Sequence, residues 1–168
     1  MNYITCFTGH RPEAFPWGTD KADPRCQVLF RRLEDAIDDL IAKGCNHFIT
    51  GNALGIDTWA SEIVLEKKKT NPGLILEIAQ PYKGHNAHRK EIKPILEKAD
   101  LVHPVSTKER RNDAYLDRNK YMVDKSDFVV AIFDDSDPHA GGTWHTLDYA
   151  MRKGKIVIKI QWRDINYT

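Results

Sequence analysis

The sequence predicts an α/β protein: a Rossmann-like three-layer α/β/α sandwich with a mostly parallel sheet of about six strands, formed as a single domain over residues 1–168. Three observations predict it. Short β-prone runs alternate with helical patterns along the chain. Glycine-rich turns stand where apolar runs give way to helical ones. A length of 168 residues with 41% hydrophobic content suffices for one core.

The first run, Tyr3 to Phe7, leads into the turn Thr8-Gly9-His10-Arg11-Pro12. Leu29, Leu33, Ile37 and Leu40 then recur at helical spacing, and Gly44 stops the pattern. The second run, His47 to Thr50, opens onto Gly51-Asn52-Ala53-Leu54-Gly55-Ile56-Asp57. From Asp57, the residues Ala60, Ile63 and Val64 read as a helix until Asn71-Pro72-Gly73 breaks it. The third run, Leu74 to Ala79, precedes a helical pattern from His85 to Ala99 in which Pro94 predicts a kink or two short pieces. Leu101 to His103 is the fourth run, and a helix with Tyr115, Met122 and Val123 toward the core follows it. The fifth, Phe128 to Phe133, ends in a polar loop, Asp134-Asp135-Ser136-Asp137-Pro138-His139, before Ala140-Gly141-Gly142-Thr143. Trp144, Leu147 and Ala150 or Met151 carry the last helix to Gly154, and Ile156 to Ile160 is the sixth run.

Charge and cysteine content narrow the function. With 25 Lys and Arg against 24 Asp and Glu the net charge is +1, so binding is expected at a local site rather than through a global field. Cys6, Cys26 and Cys45 are odd in number and lack C-x-x-C spacing, which argues against a disulfide framework or a zinc cluster and fits a reducing cytoplasm. Met1 to Thr5 has no basic segment leading into an apolar one, and nowhere do roughly 18 apolar residues run together. Neither secretion nor membrane spanning is expected. His85 and His88 share a ligand-like spacing, and His139 and His145 flank the second glycine turn, but no third ligand completes a metal site. Lys67-Lys68-Lys69 and Lys108-Glu109-Arg110-Arg111 read as solvated faces, so nucleic acid is not an expected partner.

Both glycine turns sit where a strand yields to a helix, so unpaired N–H groups and the positive end of the helix dipole point at the space beyond the strand. The expected ligand is an anion, most simply a nucleotide.

Four segments, in order, carry a resemblance to a known family: Thr8-Gly9-His10-Arg11-Pro12; Thr50-Gly51-Asn52-Ala53-Leu54-Gly55-Ile56-Asp57; Arg118-Asn119-Lys120-Tyr121-Met122-Val123-Asp124; and Gly141-Gly142-Thr143. The chain resembles the SLOG superfamily, the Rossmann-like group that includes the small YpsA- and YoqJ-like proteins, the Rossmann domain of DNA-processing protein A and the LOG phosphoribohydrolases. It is most similar to the small YpsA- and YoqJ-like members. The resemblance implies a nucleotide or nucleotide-derived ligand and no required cofactor. Compared with the LOG enzymes, Arg118 matches their arginine, while Gly141-Gly142-Thr143 matches only part of the Gly-Gly-x-Gly-Thr-x-x-Glu loop. Thr146 stands in place of the glutamate, and Asp148 lies roughly 200° further around an ideal helix. Asp57, Asp134 and Asp148 are the remaining carboxylates that N-glycoside cleavage would call on.

The expected ligand-binding set is Gly9, His10 and Arg11 after the first strand, Gly51, Asn52, Gly55 and Asp57 after the second, Arg118 and Asn119 on the fourth helix, and Gly141, Gly142 and Thr143. Structural roles compete with several of these. Gly51 and Gly55 also suit a tight turn, Asp57 suits a helix start, Arg11 a loop-bracing ion pair, and Trp144 the core. Arg118 can equally lay its stem against the core as a solvated residue. A non-catalytic nucleotide-binding or sensing module is the expected function. The alternatives are an N-glycosidic nucleotide hydrolase or transferase, and a nucleic-acid or protein interaction factor; a homo-oligomer is left open.

Overall fold

The structure, a computed structural model, describes residues 2–134, 136 and 141–165. Asp135, Asp137, Pro138, His139 and Ala140, which the sequence places in and after the polar loop, lie outside the described residues. The elements alternate strictly: β1 (Tyr3–Gly9), α1 (Pro24–Ala42), β2 (Cys45–Thr50), α2 (Ile56–Lys68), β3 (Ile75–Gln80), α3 (Lys93–Lys98), β4 (Leu101–Pro104), α4 (Arg111–Lys125), β5 (Phe128–Phe133), α5 (Gly141–Arg152) and β6 (Ile156–Gln161). The six strands form one sheet in the order β4-β3-β2-β1-β5-β6, and every neighbouring pair is parallel. This is the expected Rossmann-like α/β architecture.

Burial on both faces explains the apolar runs. All six residues of β5 are buried, as a strand covered by helices on both sides requires. Phe7, Phe48, Leu76 and Ile132 pack with Leu29, Leu33 and Ile37 of α1, Trp59 and Ile63 of α2 and Ile95 of α3. On the other face Cys6, Ile49, Ala79 and Val129 meet Met122 and Val123 of α4 and Ala150 of α5. The apolar stripe of α1 thus does what its spacing predicted, and Asp23 caps its start by accepting a hydrogen bond from the Arg25 amide at 2.8 Å. The chain winds outward from β1 to β4, then crosses back to β5, which pairs with β1 from Thr5↔Phe128 to Gly9↔Ile132. That reversal between β1 and β5 is a topological switch point, and it opens a crevice beyond the carboxyl ends of the strands.

One expected helix is different. Residues from His85 onward form successive turns, and only Lys93–Lys98 is helical, with Pro94 in its first turn. Proline belongs there because the first-turn N–H groups have no intrahelical acceptor, so Pro94 starts α3 instead of kinking a longer helix.

The α4 face of the sheet also buries a carboxylate. Glu77 on β3 is 4% exposed and receives three hydrogen bonds: from His47 on β2 at 2.8 Å, His103 on β4 at 3.0 Å and the Tyr121 hydroxyl on α4 at 2.6 Å. Burial alone pushes the Glu77 carboxyl up, but the three donors together outweigh it and hold it at about 2. Glu77 therefore stitches three strands to α4.

Cys6, Cys26 and Cys45 are free and buried, and desolvation pushes the Cys6 thiol up to about 12. A buried thiol of high pKa is a poor nucleophile. The folded protein should therefore leave all three thiols unreacted with a disulfide reagent at pH 8 and release three equivalents on denaturation, a count read directly by absorbance. Among the described residues, no helix is long and apolar enough to cross a membrane.

Candidate functional site

At the switch point lies a cleft of about 700 Å³, within the range of small-molecule sites. Its floor comes from the end of β1, Phe7 to Arg11, with Ala53 and Asp57 beside it. One wall is α4, through Tyr115, Arg118, Asn119 and Met122, and the other is the start of α5, Gly141 to Thr143 with His145. The first turn of a 12-residue helix therefore borders the cleft, and its unpaired N–H groups are a natural partner for an anion. The Asp134 amide donates to His10 Nε2 at 2.9 Å, which ties the loop after β1 to the end of β5 across the switch point.

Arg118 is the site's central charge. It is 5% exposed, and no ion pair engages it among the described residues. Its Nη1 donates to the Gly51 carbonyl, its Nε to Asn119 Oδ1 at 2.8 Å, and its guanidinium lies 5.8 Å from the Tyr115 ring centre. Asp57 stands close by in the first turn of α2 and accepts from the Ala53 amide at 3.2 Å. Desolvation pushes the Asp57 carboxyl up, against the pull of Arg118 and of the Ala53 and Gly51 amides. Burial likewise lowers Arg118, with Asp57 opposing. A buried cation costs several kcal/mol unless opposing charge and hydrogen bonds offset it, and such perturbed pairs gather at functional sites.

Gly51 makes this arrangement sterically feasible. A Cβ on Gly51 would stand 2.5 Å from Arg118 Nη1 and 2.9 Å from Asp57 Oδ2, so both charged side chains occupy the volume a side chain would need. Gly55, at φ +92, turns the chain into α2 against Pro12, a conformation that L-residues rarely adopt.

The sequence-predicted residues separate cleanly. Gly9, His10, Arg11, Asp57, Arg118, Asn119, Gly141, Gly142 and Thr143 line the cleft together. Gly51, Asn52 and Gly55 stand behind it; Asn52 is 3% exposed and donates to the His85 carbonyl at 2.6 Å. Of the three carboxylates, only Asp57 reaches the cleft. Asp134 pairs with Arg163, and Asp148 pairs with Arg152 at 3.0 Å. Thr146 is buried and spends its hydroxyl on the Gly142 carbonyl at 2.9 Å.

Residues 5–158 match the model of the YspA SLOG family. The chain belongs to this family. A UPF0398 protein of Halalkalibacterium halodurans is 30% identical over 129 residues, covering 73% of this chain and 67% of the relative. A UPF0398 protein of Bacillus cereus is 26% identical over 160 residues, covering 91% of this chain and 85% of the relative.

Within this SLOG chain the sequence pointed to Arg118 and Asn119 on the α4 wall but not to the aromatic side chain beside them. Tyr115, expected toward the core, is half-buried and lines the cleft. Arg11 lies 5.5 Å from the same ring. Tyr82 and His85 stand next to it, at centroid distances of 6.3 Å and 5.7 Å from Tyr115. The one available signal was that Tyr115 and Arg118 fall three residues apart, on one helix face.

Proposed function

We propose that the protein binds a nucleotide or nucleotide-derived ligand in the cleft between β1 and β5 and acts as a non-catalytic binding or sensing module. The observation that carries this reading is Arg118, a buried guanidinium lining the cleft opposite the start of α5. A phosphoryl group between them would take hydrogen bonds from Arg118, the Gly142 and Thr143 amides and the Thr143 hydroxyl. Asp57, which lines the cleft, would accept ribose hydroxyls, the role of an acidic residue in dinucleotide sites of this architecture. Buried free thiols suit a reducing compartment such as the cytoplasm.

A hydrolase is the second reading, and one feature favours it: Asp57 is a cleft carboxylate with a raised pKa, as a general acid requires. Against it, the position that carries glutamate in the LOG enzymes is Thr146, whose hydroxyl is already engaged with the helix backbone.

The test is thermal unfolding against nucleoside monophosphates, NAD, ADP-ribose, cyclic nucleotides and nucleotide sugars, with each mixture analysed for released base. A ligand at a hundred times its Kd adds about 2.7 kcal/mol, a rise of roughly 5–11 °C for a domain of this size. Intact nucleotide with a shift is the expected result; free base would promote the hydrolase. A Cβ on Gly142 would meet no atom within 4 Å, so Gly142→Asp should leave the unliganded melting temperature near wild type while abolishing the shift by placing a carboxylate against the phosphate. An undiminished shift in that variant would remove the phosphate from this loop.

A further inference from the structure

Beside the cleft lies a second cavity of about 260 Å³. It shares Arg11, Ala53 and Tyr115 with the cleft as a common wall. The opposite side is built by Tyr82, His85 and Arg89 from the turns after β3 and by Arg111 at the start of α4. Its volume is too small for a whole nucleotide and ample for one phosphoryl group.

Its charge is concentrated. Arg11, Arg89 and Arg111 all line it, and among the described residues none of the three forms an ion pair. Arg89 Nε donates to Asn86 Oδ1 at 3.1 Å. Among the described residues Glu13, exposed at the rim, is the only acidic one lining it. The tyrosine faces are already taken: Arg11 lies 5.5 Å from the Tyr115 centroid and Arg111 5.7 Å from that of Tyr82. The rings thus orient guanidiniums and leave their N–H edges to a ligand, which favours an anion over a stacked base.

His85 supplies an independent sign. It lines this cavity, is 5% exposed, and its buried Nδ1 has no hydrogen-bond partner among the described residues. Buried polar atoms are ordinarily satisfied, so an orphaned one beside a cavity points to a missing partner. Desolvation and the charges of Arg118, Arg11, Arg111 and Arg89 hold its pKa at about 4. Two asparagines also hold the wall in a left-handed conformation, Asn52 at φ 64 and Asn86 at φ 57, with Asn86 Nδ2 donating to the Asn52 carbonyl at 2.9 Å. Such strain persists where surrounding structure over-determines it.

We propose that this second cavity is an anion subsite, so that the ligand of the cleft is a nucleotide carrying two separate phosphoryl groups, the second seated among Arg11, Arg89 and Arg111. It rests on the nucleotide reading of the cleft. Arg11 and Tyr115, common to both cavities, form the bridge under which such a ligand would pass.

Two measurements on the full chain test it. In the first, adenosine and guanosine 5′-monophosphates are compared by calorimetry with the corresponding 3′,5′-bisphosphates. The bisphosphate should bind at least about tenfold more tightly, and that ratio should fall to about one in R89A/R111A. In the second, inorganic pyrophosphate is titrated while the His85 ring resonances are followed by NMR; an anion among the arginines should move them in the wild type and not in R89A/R111A. Equal binding of mono- and bisphosphates with unmoved His85 resonances would overturn the subsite and leave the nucleotide reading standing. Pyrophosphate moving His85 with no nucleotide bound would sustain the anion pocket and overturn the nucleotide reading, and silence in both measurements would overturn both.

Discussion

Arg118→Ala is expected to weaken binding of the best nucleotide in the panel by about 2–4 kcal/mol, roughly 30- to 1,000-fold. The size follows from where the group sits. A guanidinium that is 5% exposed is already desolvated and already oriented by Gly51 and Asn119, so a phosphoryl group meets it without the usual cost of ordering a long side chain. Arg118→Lys should not restore affinity, because an ammonium cannot hold the Gly51 carbonyl, the Asn119 amide and the ligand in one planar fork. Gly51→Ala supplies the sharper test. The added Cβ would fall 2.5 Å from Nη1, so the guanidinium must leave its seat although Arg118 itself is unchanged. Calorimetry on Gly51→Ala should therefore give the binding loss of Arg118→Ala; full affinity in both variants would show that the ligand does not use this arginine.

The second large effect concerns stability. Glu77→Gln should cost about 3 kcal/mol at pH 7, from a carboxylate held at about 2 against its ordinary 4.5. For a domain of this size that is a fall in Tm of roughly 6–12 °C. The sign is set by the depressed folded pKa: the contribution is complete above pH 4.5 and is lost as pH falls toward 2. His85 adds an earlier window. Its folded pKa of about 4 lies below the ordinary 6.5, so the unfolded chain takes up the proton first and stability falls between those values. Wild-type unfolding free energy should thus decline in two stages on acidification. Glu77→Gln should keep the stage between pH 6.5 and 4 and flatten the one below it, to which Asp23 and Asp100, also held below the ordinary carboxylate range by Arg25 and Lys68, still contribute. Denaturant titrations from pH 7 to 2.5 measure both, and an unaltered acid limb in Glu77→Gln would remove Glu77 as its source. Because the Tyr121 hydroxyl binds Glu77 three residues beyond Arg118, the same variant should also loosen the helix that carries Arg118.

These two sites divide what was legible in the sequence from what was not. The strands could be read because a parallel sheet buried on both faces needs continuous apolar runs, as in Phe128–Phe133. The α1 stripe, Leu29, Leu33, Ile37 and Leu40, could be read because helical period and burial coincide. The loops after β1 and β5 and the first turn of α2 could be assigned to one edge, since a parallel sheet places every strand-to-helix junction at its carboxyl end. The stretch after His85 misled because its helical spacing is too short and too turn-rich to propagate, and Pro94 marks a beginning instead of an interruption.

By itself the sequence determined the α/β alternation, the six strands, the glycine turns and most of the residues that face the cleft, because each of these is written in local spacing and local backbone chemistry. The tertiary structure alone decided which distant residues meet: Arg118 with Gly51, 67 positions apart, Glu77 with His47, His103 and Tyr121, and Tyr115 with Tyr82 and His85. Those meetings follow from the strand order β4-β3-β2-β1-β5-β6, which is set by the cooperative burial of the whole sheet between its two helical layers, a property that no window of sequence contains.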